Sequence, residues 1–289
     1  MKKIKNICCP VCKSNLVSKE IGLSCVQCKK VYKVADDIPV LVNLDELPVH
    51  LVGQIRYFEK AYVVENDKFE LDEWQKSYVR RFENNFSDIN GKTVLDCGAG
   101  SGYMSIELAK RGAKVTACDL TLKGLKTLKR VSDKLGLDID IICCSAEELP
   151  FKDNSFDYFI SNAVLEHLPR EKAAISEISR VCKDESGLMV TVPLSYRFLN
   201  PLLMLVNYIH DKRIGHLRRY DKRKFENRFK GWDMKRIYYT GHTKKVIKTL
   251  INMIRKVFDN QKIEIDDAKK EDKVLWASNI ICFMKKVRS

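Results

Sequence analysis

The sequence contains no apolar stretch that approaches the ~20 residues an α-helix needs to cross a bilayer. The basic start Met1–Lys5 is not followed by the apolar core of a secretory signal. We therefore expect a soluble, cytoplasmic protein. Its 289 residues, 45% hydrophobic and 31% charged, suffice for one α/β domain with a buried core and a small accessory module.

Negative charge is scarce, since 38 Asp and Glu face 52 Lys and Arg and leave a formal net charge of +14. The excess is local, because the segment Asp211 to Lys262 holds 17 Lys/Arg against 5 Asp/Glu. Such a patch attracts nucleic acid, anionic lipid head groups or phosphorylated substrates. A merely solvated basic face is the alternative.

The eleven cysteines do not form the framework of a small disulfide-rich domain, because several lie singly within apolar runs. Two CxxC pairs near the N-terminus are twelve residues apart, and four thiolates from two tight turns complete the tetrahedral shell of structural zinc. The predicted zinc ligands are Cys9, Cys12, Cys25 and Cys28. A redox pair or a metal-free remnant is the alternative.

The segment "KKVYKVADDIPVLVN" after the second pair predicts short strands around an Asp-Asp turn. With the CPxC and the later CxxC, residues 7 to 44 resemble the Trm112-like zinc-ribbon family. That resemblance implies a module that accompanies methyltransferases and performs no chemistry itself.

A glycine-rich turn connects a strand and a helix in "KTVLDCGAGSGYMSIELAKRG", where glycine lets the backbone approach a ligand closely. The next apolar strand, "AKVTACDL", ends in Asp119, which can accept hydrogen bonds from both hydroxyls of a cofactor ribose. Up to this point a nicotinamide or flavin enzyme also fits. However, the spacing of Gly98, Gly100 and Gly102 is not GxGxxG, and Asp96 would repel a pyrophosphate but attract an ammonium group. The pattern therefore favours a cofactor that is cationic at this place.

The stretch "DIDIICCSAEELPFKDNSFDYFISNAVLEHLP" closely resembles class I S-adenosylmethionine (SAM)-dependent methyltransferases of the UbiE and type 11-like branch, and the match runs from about residue 92 to 195. Ser145 departs from the family, because many members have Asp there and the contact to the adenine amino group would differ. The resemblance implies the following SAM contacts: Asp96, Gly98, Ala99, Gly100 and Gly102 for the methionine part, Asp119 and Leu120 for ribose and adenine, Ala146 and Glu147 for the adenine edge, and Asn162 and Ala163 for the donor pocket.

The remaining patterns complete an α/β fold with a Rossmann-like, doubly wound, seven-stranded sheet. The seventh strand is antiparallel in the resembled family. We predict a zinc ribbon over residues 1–45, a helical linker or lid over 46–90 and a methyltransferase domain over 91–289. Within this domain we place an acceptor-side insertion at about 196–235 and a basic amphipathic helix at about 243–259. The aromatic residues of the 46–90 segment, among them Tyr62, fit either a cofactor lid or plain core packing.

Transfer of a sulfonium methyl group needs an in-line nucleophile and exclusion of water, so no dedicated nucleophile or metal is required at the reacting centre. A hydroxyl acceptor would benefit from a general base. Our candidates for catalysis or substrate contact are His167, His216 and Tyr220, with His242 as a further possible base. Structural roles are the alternative for each.

Two apolar segments with basic borders, Phe198 to Ile209 and the 243–259 helix, suggest peripheral docking on an anionic membrane. Packing on the sheet or a dimer interface is the alternative. We therefore expect methylation of a small-molecule or lipid-linked acceptor. RNA methylation by the ribbon and the basic segment, or a non-catalytic SAM-binding partner of another methyltransferase, are the competing hypotheses.

Overall fold

The computed structural model describes residues 4, 6–20, 22–61, 69–86 and 88–288, so the predicted lid residue Tyr62 lies outside the described part. Five short strands come first: β1 (Leu16–Lys19), β2 (Gly22–Cys25), β3 (Val31–Tyr32), β4 (Val34–Ala35) and β5 (Ile38–Pro39). The first three pair antiparallel, and β4 and β5 form a hairpin. Asp36 and Asp37 at its turn have positive φ angles of 50° and 62°, as a tight hairpin turn requires.

A seven-stranded sheet forms the centre of the rest of the molecule. Its strands are β6 (Thr93–Cys97), β7 (Lys114–Asp119), β8 (Asp140–Cys143), β9 (Phe156–Asn162), β10 (Cys182–Pro193), β11 (Trp232–Thr240) and β12 (Asn279–Lys286). Their order across the sheet is β8-β7-β6-β9-β10-β12-β11. The first five in this order are parallel, whereas β12 runs antiparallel to both β10 and β11.

Nine helices accompany the strands in the described residues. They are α1 (Val49–Ala61), α2 (Glu73–Asn85), α3 (Tyr103–Lys110), α4 (Leu122–Lys134), α5 (Glu171–Val181), α6 (Pro201–Ile214), α7 (Lys222–Arg228), α8 (Thr243–Ile254) and α9 (Asn260–Ala268). Single turns of 3₁₀-helix occur at Leu44–Glu46, Leu165–His167 and Tyr196–Phe198.

The sheet separates two apolar cores, because successive side chains of a strand point to opposite faces. On β10, Leu188 and Val190 belong to one core and Met189, between them, belongs to the other. Helices α2, α3 and α4 supply buried side chains to the core of Met189, and α5 and α7 supply the opposite core. This two-sided cover explains why the strands read as continuous apolar runs.

The N-terminal strands are joined to the edge of the large sheet by backbone hydrogen bonds. The Leu41 amide donates to the Cys143 carbonyl at the end of β8 over 2.8 Å, and the Cys8 amide donates to the Pro150 carbonyl over 2.9 Å. Phe151, next to the second contact, is 1% exposed and belongs to the same buried cluster as Leu23 of β2. The small module and the large domain therefore share one apolar core.

The predicted fold class is confirmed, including the antiparallel seventh strand. In the acceptor half, two predicted element boundaries differ from those of the structure. The sixth strand begins at Trp232, inside the predicted insertion, and the basic helix ends at Ile254 because the chain turns at Arg255, whose φ and ψ are extended. The predicted helical segment 46–90 contains α1 and α2, while residues 62–68 and 87 lie outside the described chain.

We expect Phe151→Ala to lower the free energy of unfolding by about 3–5 kcal/mol, because it opens a cavity in the shared core. Thermal and denaturant unfolding measure this. Lys152→Ala is the matched control, since Lys152 is exposed and its substitution should cost under about 0.5 kcal/mol. Equal stability of the two variants would show that the module and the domain do not share a core.

Candidate functional site

A cavity of about 400 Å³ opens at the carboxyl ends of β6, β7 and β9, where open α/β sheets bind their ligands. The glycine turn after β6 forms its floor, and Asp119 and Leu120 at the end of β7 form one side. His167 and His216 lie at the other end, and α1 and α2 cover the opening with Phe58 and Trp74.

The glycine turn has a backbone conformation that other residue types rarely adopt. Gly98, Gly100 and Gly102 have φ angles of 79°, 54° and 81°. A Cβ on Gly98 would lie 2.2 Å from Cγ2 of Val164, which also lines the cavity. Glycine is therefore required both for the backbone and for the close approach of the next loop.

The Asp119 side chain holds the glycine turn in place. Its carboxylate accepts a hydrogen bond from the Gly100 amide over 2.9 Å. It also accepts hydrogen bonds from the amide and the hydroxyl of Thr121 over 2.7 and 2.6 Å. Burial raises the pKa of this carboxyl, and the three donors oppose the shift. The carboxylate is thus held at the cavity wall in one orientation.

Most residues that the sequence assigned to a cofactor do meet at this cavity. Those lining it are Gly98, Ala99, Gly100, Asp119, Leu120, Ala146, Asn162 and Ala163. Ala163 has a positive φ of 56°, which turns the chain back after β9.

Asp96, Gly102 and Glu147 are not among the lining residues. The Asp96 side chain is 2% exposed and accepts a 2.6 Å hydrogen bond from the Ser105 hydroxyl, and burial raises its pKa to about 6. Glu147 is bound instead by the backbone amide and guanidinium of Arg170 over 2.6 and 3.0 Å. In this structure these two carboxylates accept hydrogen bonds from Ser105 and Arg170, and their SAM contacts stay a prediction.

His167 and His216 meet at the far end of the cavity, with ring centroids 4.8 Å apart. Burial lowers the pKa of His167 to about 3. His216 Nδ1 lies 2.7 Å from Oδ1 of Asp211. Burial raises the pKa of the neighbouring Glu166 to about 8.

Tyr220 and His242 lie elsewhere, which corrects two of the expectations. Tyr220 is fully buried and donates a 2.7 Å hydrogen bond to Glu171, so it cannot reach a ligand in the cavity. His242 is 4% exposed and is fixed between the Asp267 carboxylate and the Lys273 carbonyl. The Tyr220 hydroxyl and both ring nitrogens of His242 thus already have partners within the fold.

Several lining residues were not singled out in the sequence. They are Leu51, Gln54, Ile55, Gln75, Tyr103, Thr121 and Ile214. Tyr103 accepts a 2.6 Å hydrogen bond from the amide of Asn162, and the ring of Trp74 packs edge-on against it at 5.4 Å. The helical spacing of aromatic residues in 46–90 was the available signal, but it did not distinguish a cavity cover from core packing.

The four predicted zinc ligands also come together. The Sγ atoms of Cys9 and Cys28 are 3.6 Å apart and those of Cys12 and Cys25 are 3.3 Å apart. All four sulfurs lie within 4.8 Å of one another. Tetrahedral zinc with bonds of about 2.3 Å separates its sulfur ligands by about 3.8 Å. The donor set and its spacing therefore fit a zinc ion, while buried Cys8 lies outside the group.

Residues 95–190 match a family described as a methyltransferase domain. A demethylmenaquinone methyltransferase of Renibacterium salmoninarum is 31% identical over 159 residues, 55% of this chain and 65% of that protein. A ubiquinone biosynthesis O-methyltransferase of Chromobacterium violaceum is 35% identical over 144 residues, 49% of this chain and 60% of that protein. The chain thus spans less than two thirds of these relatives' lengths.

Among solved structures, geranyl diphosphate C-methyltransferase from Streptomyces coelicolor, in complex with Mg²⁺, geranyl diphosphate and S-adenosyl-L-homocysteine, has a similar fold. The TM-score is 0.63 at 13% sequence identity, over 83% of this chain and 99% of that one. Together with the sheet order and the glycine turn, these similarities show that residues 95–190 of this chain belong to a methyltransferase domain.

Proposed function

We propose that this chain transfers the methyl group of SAM to a small-molecule or lipid-linked acceptor. The observation that carries this proposal is one cavity with two different ends. One end joins the glycine turn to the fixed Asp119 carboxylate, and the other presents His167 and His216 beneath the cover of α1 and α2.

SAM would fit the first end by chemistry already on the cavity wall. The Asp119 carboxylate would accept hydrogen bonds from the ribose hydroxyls. The backbone of Gly98 and Ala99 would lie along the methionine part, and Ala146 would pack on the adenine. Asn162, held by Tyr103, would line the pocket near the sulfonium. The zinc ribbon, the domain boundaries and these contacts are all part of the proposal.

The chemical step is a displacement in line with the carbon–sulfur bond. A lone pair of the acceptor forms the new bond to the methyl carbon, the carbon–sulfur bond breaks, and its electron pair stays on sulfur. Holding the partners in this geometry can lower the barrier by about 7–11 kcal/mol. The apolar covering residues Phe58, Trp74 and Leu51 would exclude water from this step.

We expect Asp119→Ala to weaken SAM binding about 10- to 150-fold, because it removes charge-assisted hydrogen bonds of about 1.5–3 kcal/mol. Equilibrium binding of radiolabelled SAM measures the affinity, and radiolabelled SAM with cell extract divided into lipid, RNA, protein and small-molecule fractions measures methyl transfer. Asp133→Ala is the matched control, since Asp133 is exposed at the end of α4.

Label in the lipid or small-molecule fraction, reduced in Asp119→Ala but not in Asp133→Ala, is the expected result. Label in RNA, with steep salt dependence, would favour the RNA hypothesis instead. Binding of SAM with no labelled fraction would favour a non-catalytic partner.

A lipid-linked acceptor is supported by the unusual exposure of α6. Leu202, Leu205 and Ile209 are 86%, 67% and 57% exposed, so this face does not pack on the sheet. Arg197 and Arg213 flank the helix at its two ends. The same helix ends at Ile214, which lines the cavity together with His216 two residues further along the chain. Among the described residues no helix is long and apolar enough to cross a membrane. Because α6 has an exposed apolar face and ends at the cavity, docking of this face on a membrane surface would bring a lipid to the cavity.

We expect the double substitution Leu202→Glu and Leu205→Glu to reduce sedimentation with anionic vesicles at least about 10-fold, because burial of such a side chain contributes about 1.5–3 kcal/mol. Leu135→Glu is the control, since Leu135 is a 43% exposed leucine at the end of α4. Absence of vesicle binding by the unaltered, SAM-binding protein would contradict membrane docking.

We also propose that the ribbon holds one structural zinc ion. Cys12→Ser should lose this zinc and expose the ribbon to protease, because so small a module depends on its metal for folding. Cys8→Ser is the matched control and should retain the metal. Metal content and limited proteolysis measure both effects, and zinc retention by Cys12→Ser would contradict the proposed ligand set.

A further inference from the structure

A second group of metal-ligating side chains lies at the acceptor end of the cavity. Glu166, His167 and His216 each place one ligand atom within 4.8 Å of the others, and His216 Nε2 is 3.7 Å from Oε1 of Glu166. Two imidazoles and one carboxylate are a common ligand set for Zn²⁺ and related divalent transition metals.

Two polar atoms of this group are buried and have no hydrogen-bond partner. They are Oε2 of Glu166 and Nδ1 of His167, on side chains from residues that are 1% and 7% exposed. A buried carboxylate oxygen and a buried imidazole nitrogen without partners each cost free energy. One cation between them would satisfy both atoms.

His216 already has the support that metal-bound histidines usually have. Its Nδ1 lies 2.7 Å from Oδ1 of Asp211, so Nδ1–H donates there and the lone pair of Nε2 remains for a metal. The Asp211 carboxylate is in turn held by Arg219 through hydrogen bonds of 2.6 and 2.8 Å and by the hydroxyl of Tyr196.

The backbone around the ligands is held in place as well. The Leu217 amide donates to the Glu166 carbonyl over 2.8 Å, which joins the turn containing Glu166 and His167 to the segment containing His216. A ring nitrogen of His50 lies 3.0 Å from the His167 carbonyl. Ligand atoms at about 2.0–2.2 Å from a tetrahedral ion lie about 3.3–3.6 Å apart. Side-chain rotations that move the ligand atoms by about 1 Å would therefore bring them to the separations of a tetrahedral site.

We propose that Glu166, His167 and His216 bind a divalent transition-metal ion whose remaining coordination positions face the acceptor half of the cavity. Three protein ligands leave such positions open. Since His167 and His216 line the cavity and the ribbon cysteines do not, this ion is separate from the ribbon zinc.

The site further specifies the acceptor, and this part rests on the proposed methyl transfer. The acceptor is an oxygen nucleophile, a hydroxyl that takes the open tetrahedral position, with a neighbouring oxygen that expands the coordination to five. Metal binding favours loss of the hydroxyl proton to solvent. The hydroxyl oxygen that Glu166, His167 and His216 would position through the ion would then attack the methyl carbon, and the carbon–sulfur electron pair would remain on sulfur as S-adenosylhomocysteine is formed.

The test is a Co²⁺ titration of the full chain with zinc retained in its ribbon. The unaltered protein should bind one further Co²⁺, with visible absorption of a nitrogen–oxygen site and no sulfur charge-transfer band. Glu166→Gln and His216→Asn should each weaken this binding at least about 10-fold, and Asp211→Asn, which alters only the support of His216, about 10- to 100-fold.

His210→Asn is the matched control, because its ring lies 6.2 Å from that of His216 but is not part of the ligand group. Binding of S-adenosylhomocysteine by calorimetry verifies that each variant is folded. Absence of further Co²⁺ binding, or equal Co²⁺ affinity in the unaltered protein, Glu166→Gln and His216→Asn, would overturn the site while leaving SAM binding intact.

Catechol, a small ligand with two adjacent oxygens, tests the acceptor class on the Co²⁺-loaded protein. A shift of the visible bands on its addition is expected in the presence of S-adenosylhomocysteine. Unchanged bands would overturn the acceptor assignment but not the metal site.

Discussion

The hydrogen bond between the Gly100 amide and the Asp119 carboxylate is the contact on which the rest of the site depends. It joins the ends of two adjacent parallel strands, β6 and β7, across the glycine turn. Since Gly98 has no Cβ, the loop with Val164 can approach this turn from β9. Three strand ends therefore form one cavity, and the polar groups at its wall are fixed before any ligand enters.

The N-terminal module contacts the strand β8 and the loop after it. Its backbone bonds to β8 and to Pro150 fix the loop that runs from Ser145 to Phe151. Lys13 of the ribbon adds an ion pair of 2.7 Å to Glu177 on α5. The loop carries Ala146, which lines the cavity, so these contacts connect the module to one wall of the cavity.

Much of the fold followed from local sequence. The apolar strands, the glycine turn and Asp119 obey short-range rules of backbone conformation and sheet topology, so their arrangement could be predicted. The cysteine spacing in the same way predicted that four thiols come together.

Long-range packing could not be read from spacing. Tyr220 and His216 are close neighbours in sequence, yet one packs in the core against Glu171 and the other lines the cavity. Asp96 follows its motif but turns toward Ser105. Nothing in the segment "LEHLP" singles out Glu166. It becomes a candidate metal ligand only because the fold places His216 beside it.

The central claim is that this cavity accepts a cationic sulfonium nucleoside or its thioether product and excludes a pyrophosphate. Isothermal calorimetry of the unaltered chain with S-adenosylhomocysteine and, separately, with a nicotinamide dinucleotide tests it directly. The account predicts saturable binding of the first and no heat from the second. Binding of the dinucleotide without binding of S-adenosylhomocysteine would contradict it.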